Sequence, residues 1–273
     1  MSRATQGRLL GAALGAVALL TLAPLLWMFS ISLMPAGDAN VFPPRLWPRQ
    51  VTLQHYVELF ARLDMARYAL NSAALAVSVT IISVFINGMA GYAFAKFRFA
   101  GRDSLYRTLL GALVIPAQVA MLPLFLLMKA LGFVNSYVGV MIPGMASIFG
   151  IFLVRQYALS VPDDLLDAAR MDGAGEFRIF RSVVLPVIAP ILVTLGVFTF
   201  MGTWNDFMWP LIVLSSEEKY TLPVALATLS LEHVQDTELM MAGAVLTILP
   251  VLIVFIALQR FYLEGITAGS VKG

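Results

Sequence analysis

Long apolar stretches without charge are the feature that most restricts how this chain can fold. Five stretches of about 20 residues or more contain no Asp, Glu, Lys or Arg, and a sixth contains a single acid, Asp206. A helix needs about 20 such residues to cross the hydrocarbon core of a bilayer. The six stretches are 9–34, 69–95, 108–128, 130–154, 183–213 and 239–259. The sequence therefore predicts an all-α integral membrane protein with about six transmembrane helices.

The composition agrees with lipid as the main solvent of the protein surface. Hydrophobic residues make up 60% of the chain and charged residues 12%, whereas soluble domains carry about 25% charged residues. The net charge is only +2 and the basic residues lie at the ends of the apolar stretches, so nucleic acid is not an expected partner. The absence of cysteine excludes disulfides, thiolate metal sites and cysteine nucleophiles.

The positions of Lys and Arg predict the orientation in the membrane. If the N-terminus is cytoplasmic, 12 of the 18 basic residues lie on the inner side and 6 on the outer side, as the positive-inside rule requires. Both termini are then cytoplasmic. The first apolar stretch is longer than the about 7–15 residues of a signal peptide core. We therefore interpret it as a retained helix, with cleavage as the alternative.

Proline and turn residues modify two of the predicted spans. Glycine, asparagine and serine between positions 132 and 136 predict that the fourth span begins near Tyr137. Pro116 and Pro123 interrupt the third span. Membrane helices tolerate proline where neighbours satisfy the freed carbonyls, so kinked packing helices are the simple interpretation. The alternative is that the two kinks shape the lining of a pathway.

The cytoplasmic loop 156–186, between the fourth and fifth spans, is longer than a connection needs. Its first part carries the signals of a short helix, with Ser160 as N-cap and Gly173 as the left-handed stop. Acidic residues in the first turn favour this helix because they lie at the positive end of its dipole. A second helix is predicted over 175–184. Leu185-Pro186 is expected to end this helix and to turn the chain into the fifth span.

The first loop helix has a surface suited to a protein partner. Leu165, Leu166 and Met171 offer apolar contacts, while Ala168 and Ala169 are small enough for a partner backbone to approach. The alternative is an amphipathic helix lying on the membrane surface. The loop carries many acids, which an anionic leaflet repels. A soluble protein partner is therefore the favoured interpretation.

At these residues the chain resembles the E-A-A loop of ABC-importer permeases. The resemblance rests on Asp167-Ala168-Ala169, on Asp172-Gly173-Ala174, and on the ending Leu185-Pro186 with Pro190 beyond it. Asp167 stands where the family usually has Glu, which keeps the carboxylate on a side chain one methylene shorter. The segments 91–99, 115–118, 204–207, 219–223 and 265–273 are similar to the carbohydrate, maltose-permease-like branch. The resemblance extends over nearly the whole chain.

The resemblance implies a type I ABC-importer permease fold in the bacterial cytoplasmic membrane. It implies a second homologous permease subunit, two ABC ATPase subunits that bind ATP and Mg, and an extracytoplasmic solute-binding protein, with sugar as the substrate class. This chain itself would bind no cofactor or metal and would have no enzyme activity. The implied domains are 1–67, with the first helix and an outer loop, 68–261, with the permease core, and 262–273, a cytoplasmic tail. The implied ATPase-coupling residues are Leu165, Leu166, Asp167, Ala168, Ala169, Met171, Asp172, Gly173, Leu185 and Pro186.

Polar residues inside the spans are candidates for contact with a transported solute. Asn71, Asn87 and Gln118 are of this kind, with hydrogen bonds between helices as the simpler role. Asp206 is predicted near the outer interface, where water reaches it, so a proton relay is disfavoured. His55 and His233 lack metal-ligand spacing and are expected at the surface.

Two other classes of function remain as alternatives. A self-contained secondary transporter should have inverted repeats and a charged midplane site, and neither is evident in the sequence. A polytopic membrane enzyme should have inward-facing catalytic acids or histidines. The sequence also lacks the phosphate-binding G-x-x-x-x-G-K-S/T pattern, so it cannot bind ATP by that route.

Overall fold

The computed structural model describes residues 3–232 and 236–268, apart from the side chains of 3–6, 8, 62, 230–232, 258 and 260–268. Over the described residues the chain forms thirteen α-helices and no strand, which confirms the all-α prediction. Of the predicted tail 262–273, residues 269–273 lie outside the description, and so does His233.

The helices follow one another through short connections. The first seven are α1 (Arg3–Ser32), α2 (Gln54–Arg62), α3 (Met65–Lys96), α4 (Arg102–Ala112), α5 (Ala117–Ala130), α6 (Tyr137–Met145) and α7 (Ile148–Ala158). The remaining six are α8 (Asp163–Met171), α9 (Glu176–Ile179), α10 (Leu185–Trp204), α11 (Met208–Val213), α12 (Leu222–Glu232) and α13 (Thr237–Ala268). A π-turn, Phe180–Val184, joins α9 to α10.

The helices account for the expected number of about six membrane spans. Five segments within the described residues are long and apolar enough to cross a bilayer, namely Leu9–Ser32, Met65–Lys96, Tyr137–Ala158, Glu176–Trp204 and Thr237–Ala257. A sixth span is present if α4 and α5 count together, although these helices are bent by 107°.

The third span, predicted over 108–128 with kinks at Pro116 and Pro123, is broken at the first of these prolines and not at the second. The chain leaves α4 after Ala112, and Pro116 has extended backbone angles just before α5 begins. Proline disfavours the helical conformation in the residue before it, so Pro116 marks the break. Pro123 lies inside α5 without ending that helix.

The fourth span begins at Tyr137, as predicted. Ser136 is its N-cap, and the Ser136 hydroxyl accepts a backbone N–H three residues on at 3.1 Å. The span is interrupted at Ala146 and Ser147, which have extended backbone angles. Ser147 then caps α7 in the same way, at 3.1 Å. The span is therefore two helices joined at a short non-helical segment.

The fifth span differs from its prediction at both ends. The prediction that Pro186 ends a separate loop helix is wrong, because α9, the π-turn and α10 form one apolar segment, Glu176–Trp204. Pro186 lies in the first turn of α10, and the Leu185 N–H reaches back five residues to the Phe180 carbonyl. The outer end of α10 is at Trp204, and α11 is a separate short helix.

The chain divides into two compact units. One comprises residues 1–67 and 225–250, and the other comprises residues 68–224 and 251–273. In the first unit, His55 is 2% exposed and therefore buried, not at the surface as predicted, and its Nε2 lies 2.9 Å from the Met34 carbonyl oxygen. The contact with the backbone satisfies one of the two ring nitrogens.

The second unit contains the core that supports the loop 156–186. Buried side chains from α3, α7, α8, α9 and α10 form this core, including Tyr92, Val154, Leu166, Ile179 and Ile188. Helix α3 approaches α7 closely at Gly91, where an added Cβ would lie 2.6 Å from the Val154 Cβ. Small residues at such positions let membrane helices pack backbone to backbone.

Candidate functional site

Helix α8 is a short helix in the loop 156–186 and has a well-formed C-terminal end. Gly173 has φ of +79°, and its N–H bonds to the Arg170 carbonyl at 3.0 Å. The Ala174 N–H bonds to the Ala169 carbonyl at 3.0 Å. Together these two bonds form a Schellman motif, which confirms the predicted stop at Gly173.

The beginning of α8 differs from the prediction. The helix starts at Asp163, Pro162 occupies the N-cap position, and no side chain caps it. The Ser160 hydroxyl instead donates to the Tyr157 carbonyl at 2.7 Å. Ser160 therefore ends the preceding turn and does not begin α8.

The side chains of α8 divide between the protein core and the solvent. Leu166 is 1% exposed and packs in the core of this chain, so it is not available to a partner as the sequence predicted. Leu165, Ala168 and Met171 are exposed, and Met171 is 89% exposed. Ala169 is half-buried against the core. The exposed face of α8 is thus small and apolar, next to acidic side chains.

Arg170 joins α8 to the start of the next helix. Its guanidinium donates to the Asp167 carboxylate at 2.8 Å and to the Glu176 carboxylate at 2.9 Å. Hydrogen bonds to these two carboxylates raise the pKa of Arg170 above its ordinary value. The Tyr92 hydroxyl also donates to Glu176, at 3.4 Å. Asp167, which stands where the E-A-A pattern has Glu, is therefore paired with Arg170 of its own chain.

Lys96, the last residue of α3, holds the beginning of α8. Its Nζ donates to the Asp163 carboxylate and to the Val161 carbonyl, both at 2.6 Å. The Lys96 side chain is 7% exposed, whereas the Asp163 side chain is open to solvent. The hydrogen bond from Lys96, reinforced by its charge, lowers the pKa of Asp163. A membrane-spanning helix is thereby tied directly to the loop.

The end of the loop is already part of the fifth span. Leu185 is half-buried and packs against the core, and Pro186 is exposed in the first turn of α10. The sequence alone did not predict the contacts that Lys96, Tyr92 and Glu176 make in the loop. Lys96 and Asp163 are 67 positions apart, so no local pattern in the sequence could pair them.

A cavity of about 570 Å³ lies within the second unit, among α3, α5, α6, α7, α10 and α11. Its wall is mainly apolar and includes Phe149, Phe198 and Trp209. The polar residues of the wall are Ser147, Thr199, Thr203, Asp206 and Thr221.

None of the three polar residues predicted to contact solute lies in the wall of this cavity. Asn87 is 0% exposed and its amide donates to the Ser83 carbonyl at 2.7 Å, while its oxygen accepts the Ser147 N–H at 2.9 Å. Asn71 donates to two backbone carbonyls, at Glu218 and Tyr220, both at 3.0 Å. Contact of Asn71 and Asn87 with a solute stays a prediction.

Gln118, the third predicted residue, lies exposed in the first turn of α5, next to Ala117 in the cavity wall. Asp206 accepts the Trp209 N–H at 3.3 Å, at the beginning of α11. Within the described part of the chain, no group of His, Cys, Asp or Glu side chains is arranged to hold a metal ion.

Comparisons with known proteins identify the family. Residues 87–266 match the family described as "Binding-protein-dependent transport system inner membrane component". The chain is 37% identical to the arabinooligosaccharides transport system permease protein AraQ of Halalkalibacterium halodurans, over 89% of this chain and 86% of that protein. It is 33% identical to the lactose transport system permease protein LacG of Rhizobium radiobacter, over 93% and 94%.

A solved structure agrees with these sequence matches. The fold resembles a chain in the crystal structure of a bacterial ABC transporter involved in the import of the acidic polysaccharide alginate, with a TM-score of 0.84 and 27% identity. The likeness covers 96% of this chain and 99% of that chain. The matches therefore place this chain in the family of binding-protein-dependent inner-membrane transport components, as a multi-pass permease subunit of an ABC importer in which ATP hydrolysis belongs to a separate subunit.

Proposed function

We propose that this chain moves a sugar or sugar-like solute across the bacterial cytoplasmic membrane, as one of two permease subunits that form a pathway together. The relatives named for arabino-oligosaccharides and for lactose support this substrate class. Two ATPase subunits bind ATP and Mg on the cytoplasmic side, and a solute-binding protein delivers the sugar from outside. Both termini lie in the cytoplasm, as the distribution of basic residues favours.

The loop 156–186 is the coupling site for the ATPase in this proposal. The observation that carries it is the division of α8 into a core-facing side with Leu166 and an exposed side with Leu165, Ala168 and Met171. When a partner binds the exposed side and is displaced, α8 moves together with the core of α3, α7 and α10, because protein interiors are close-packed and transmit displacement. ATP-driven closure of the ATPase pair then changes the arrangement of the spans.

The proposed function assigns a role to each of three parts of the chain. Residues 1–67 contribute the first helix and an outer loop, 68–261 form the permease core, and 262–273 form a cytoplasmic tail. The outer loop around 215–238 is the proposed contact for the solute-binding protein. Exposed apolar faces of the spans contact lipid or the second permease.

The experiment is uptake into liposomes that contain this chain with its partner permease and ATPase subunits. With the solute-binding protein and ATP present, we expect accumulation of labelled arabinotriose or lactose. Met171→Asp should abolish ATP-driven uptake and weaken ATPase association, because it places a charge on the docking face. Leu159→Asp, a matched change in the loop but outside α8, should retain uptake.

The alternative of a secondary transporter gives a different result in the same assay. The chain alone, without an ATPase, should then accumulate the sugar under a proton or sodium gradient. Gradient-driven uptake by the chain alone would overturn the proposal.

A further inference from the structure

The segment 41–53, which follows the first membrane span, folds back against the end of α1. The Ser30 hydroxyl donates to the Leu46 carbonyl at 2.6 Å. Further along the segment, the Thr52 N–H donates to the Leu33 carbonyl at 2.9 Å. The chain between these two contacts is therefore held beside the end of α1, within the first compact unit.

The length of α1 gives the depth of this contact in a membrane. Its apolar part, Leu9–Ser32, has 24 residues, which is about 36 Å of helix against about 30 Å of hydrocarbon core. For an upright and centred span, the core ends about 3 Å before the end of the helix, at the level of Ser30. The Trp27 indole, about one turn deeper, donates to the Arg45 carbonyl at 3.4 Å. The segment therefore reaches the level at which acyl chains meet lipid headgroups.

The side chains that the segment carries at this depth are apolar and are not covered by the described part of the chain. Leu46, Trp47 and Val51 are each 68–70% exposed. Apolar side chains exposed together in this way mark a contact with a protein or with a membrane. The neighbouring span favours the membrane, because the most apolar part of α1 is itself not buried by the rest of the described chain.

The backbone of the segment also suits a lipid interface. Pro43, Pro44 and Pro48 have no N–H, so three donors that would need a partner are absent. The carbonyls of Arg45 and Leu46 are already bonded to side chains of α1. Non-helical backbone is not stable in the hydrocarbon core itself. The segment therefore fits the boundary of the core and not its interior.

The charges of the segment match the headgroups of a bilayer. The segment contains two arginines and no acid. Arg45 pairs with Asp38 at 2.7 Å, whereas the Arg49 side chain is exposed. An arginine forms strong hydrogen bonds with phosphate oxygens, and tryptophan is enriched at the membrane interface. Arg49 and Trp47 are thus the residue types that a phospholipid surface binds.

We propose that the segment 41–53 is a membrane-surface anchor. It inserts Leu46, Trp47 and Val51 into the leaflet in which α1 ends, and it directs Arg49 to the lipid phosphates. The occupant of this surface is the phospholipid bilayer, and not the second permease subunit or the solute-binding protein. The inference goes beyond the proposed function, and the leaflet is the outer one in the topology proposed above.

The chain contains no cysteine, which permits a spin-label test in the assembled transporter. Trp47→Cys and Val51→Cys each place one nitroxide on the segment, and Ser104→Cys places one on the exposed surface of α4 as the control. The complex has cysteine-free partner subunits and is reconstituted in nanodiscs of phosphatidylcholine and phosphatidylglycerol. Collision of each nitroxide with oxygen, which concentrates in lipid, and with a water-soluble nickel chelate is measured with and without the binding protein.

We expect the nitroxides at positions 47 and 51 to have a ratio of oxygen to nickel collisions several-fold higher than the nitroxide at position 104. The binding protein should leave these ratios unchanged. A high nickel collision rate at positions 47 and 51 would place the segment in water and overturn the anchor. Low collision rates with both reagents would show a protein cover and overturn it as well; the cover is the binding protein if it appears only on its addition, and a permease otherwise. These readouts do not depend on sugar transport, so the anchor and the proposed function fail separately.

A second measurement needs no label. The emission of Trp47 is obtained as the difference between the fluorescence of the unsubstituted complex and that of Trp47→Phe, and the emission of the buried Trp204 is obtained in the same way from Trp204→Phe. Lipid brominated close to the headgroup should quench the Trp47 emission several-fold more than the Trp204 emission. Equal quenching of the two emissions would contradict the anchor.

Discussion

The Nζ of Lys96 lies 2.6 Å from Oδ1 of Asp163, which joins the last residue of α3 to the first residue of α8. The same Nζ bonds to the Val161 carbonyl at 2.6 Å. A lysine at the end of a membrane-spanning helix thus holds the start of the proposed coupling helix by two hydrogen bonds, one to a carbonyl and one to a carboxylate. Displacement of α8 therefore reaches α3 through polar bonds as well as through the apolar core.

Replacing Lys96 should separate ATP hydrolysis from transport. Lys96→Met keeps the apolar stem but removes both hydrogen bonds, so we expect ATPase subunits to associate normally while the amount of sugar moved per ATP falls several-fold. Lys96→Arg should restore part of the coupling, because arginine can donate to the same two oxygens. Arg107→Met, on the exposed side of α4, is the matched control. Unchanged coupling in Lys96→Met would remove this role.

The lowered pKa of Asp163 fixes the direction of a pH effect. The folded-state pKa lies below its unfolded value of about 3.9, so the stabilisation from the pair is present above that value and is lost as pH falls through the folded pKa. Amide exchange in residues 160–171, corrected for intrinsic rates, should be unchanged from pH 7 to pH 5 and should accelerate only below about pH 4. Lys96→Met should lack that acid step.

Gly173 should tolerate substitution poorly for a reason confined to the backbone. Its φ is +79° and an added Cβ would meet nothing within 4 Å, so the cost is the left-handed conformation itself, about 1–2 kcal/mol. We expect Gly173→Val to destabilise α8 by about that amount and Gly173→Asn to cost less. Gly175→Ala is the control, since Gly175 has φ of −72° and equal space. Thermal unfolding of the complex measures the loss of stability in each variant, and the amount of sugar transported per ATP measures its consequence for coupling.

Asn87 should matter for the broken fourth span. Asn87→Leu removes the acceptor of the Ser147 N–H and leaves a buried donor unpaired, which costs about 1–3 kcal/mol. Asn205→Leu, at an exposed position, should change stability little. Urea or thermal unfolding in detergent distinguishes the two. An equal effect of both substitutions would argue against a specific role for the Asn87 amide.

The parts of the fold that local chemistry dictates were accessible from the sequence. The approximate number of spans, the start at Tyr137 and the stop at Gly173 each follow from nearby residues, because apolar length, capping and left-handed glycine act locally. The bend between α4 and α5 was visible only as a proline signal. Its angle of 107° depends on packing against other helices.

The parts that need contacts between distant segments were not accessible. Leu166 and Leu165 are adjacent and equally apolar, and only the position of the core decides that Leu166 is buried. Likewise, Asn87 was recognised as polar within a span, but its acceptance of the Ser147 N–H requires the break in the fourth span to lie beside it. The cavity lined by Thr203 and Asp206 arises from six helices together, so no single segment indicates it.

Site-specific cross-linking from the exposed face of α8 tests the central claim most directly. Ala168→Cys, in the assembled transporter with a single cysteine on the ATPase surface that is proposed to bind α8, should form a covalent link in the membrane-embedded complex. Leu70→Cys, exposed at the opposite end of α3, should not. A link from Ala168→Cys that disappears with Met171→Asp is the predicted result. Labelling of the position-168 thiol from the extracytoplasmic side, or cross-links to lipid alone, would contradict the account.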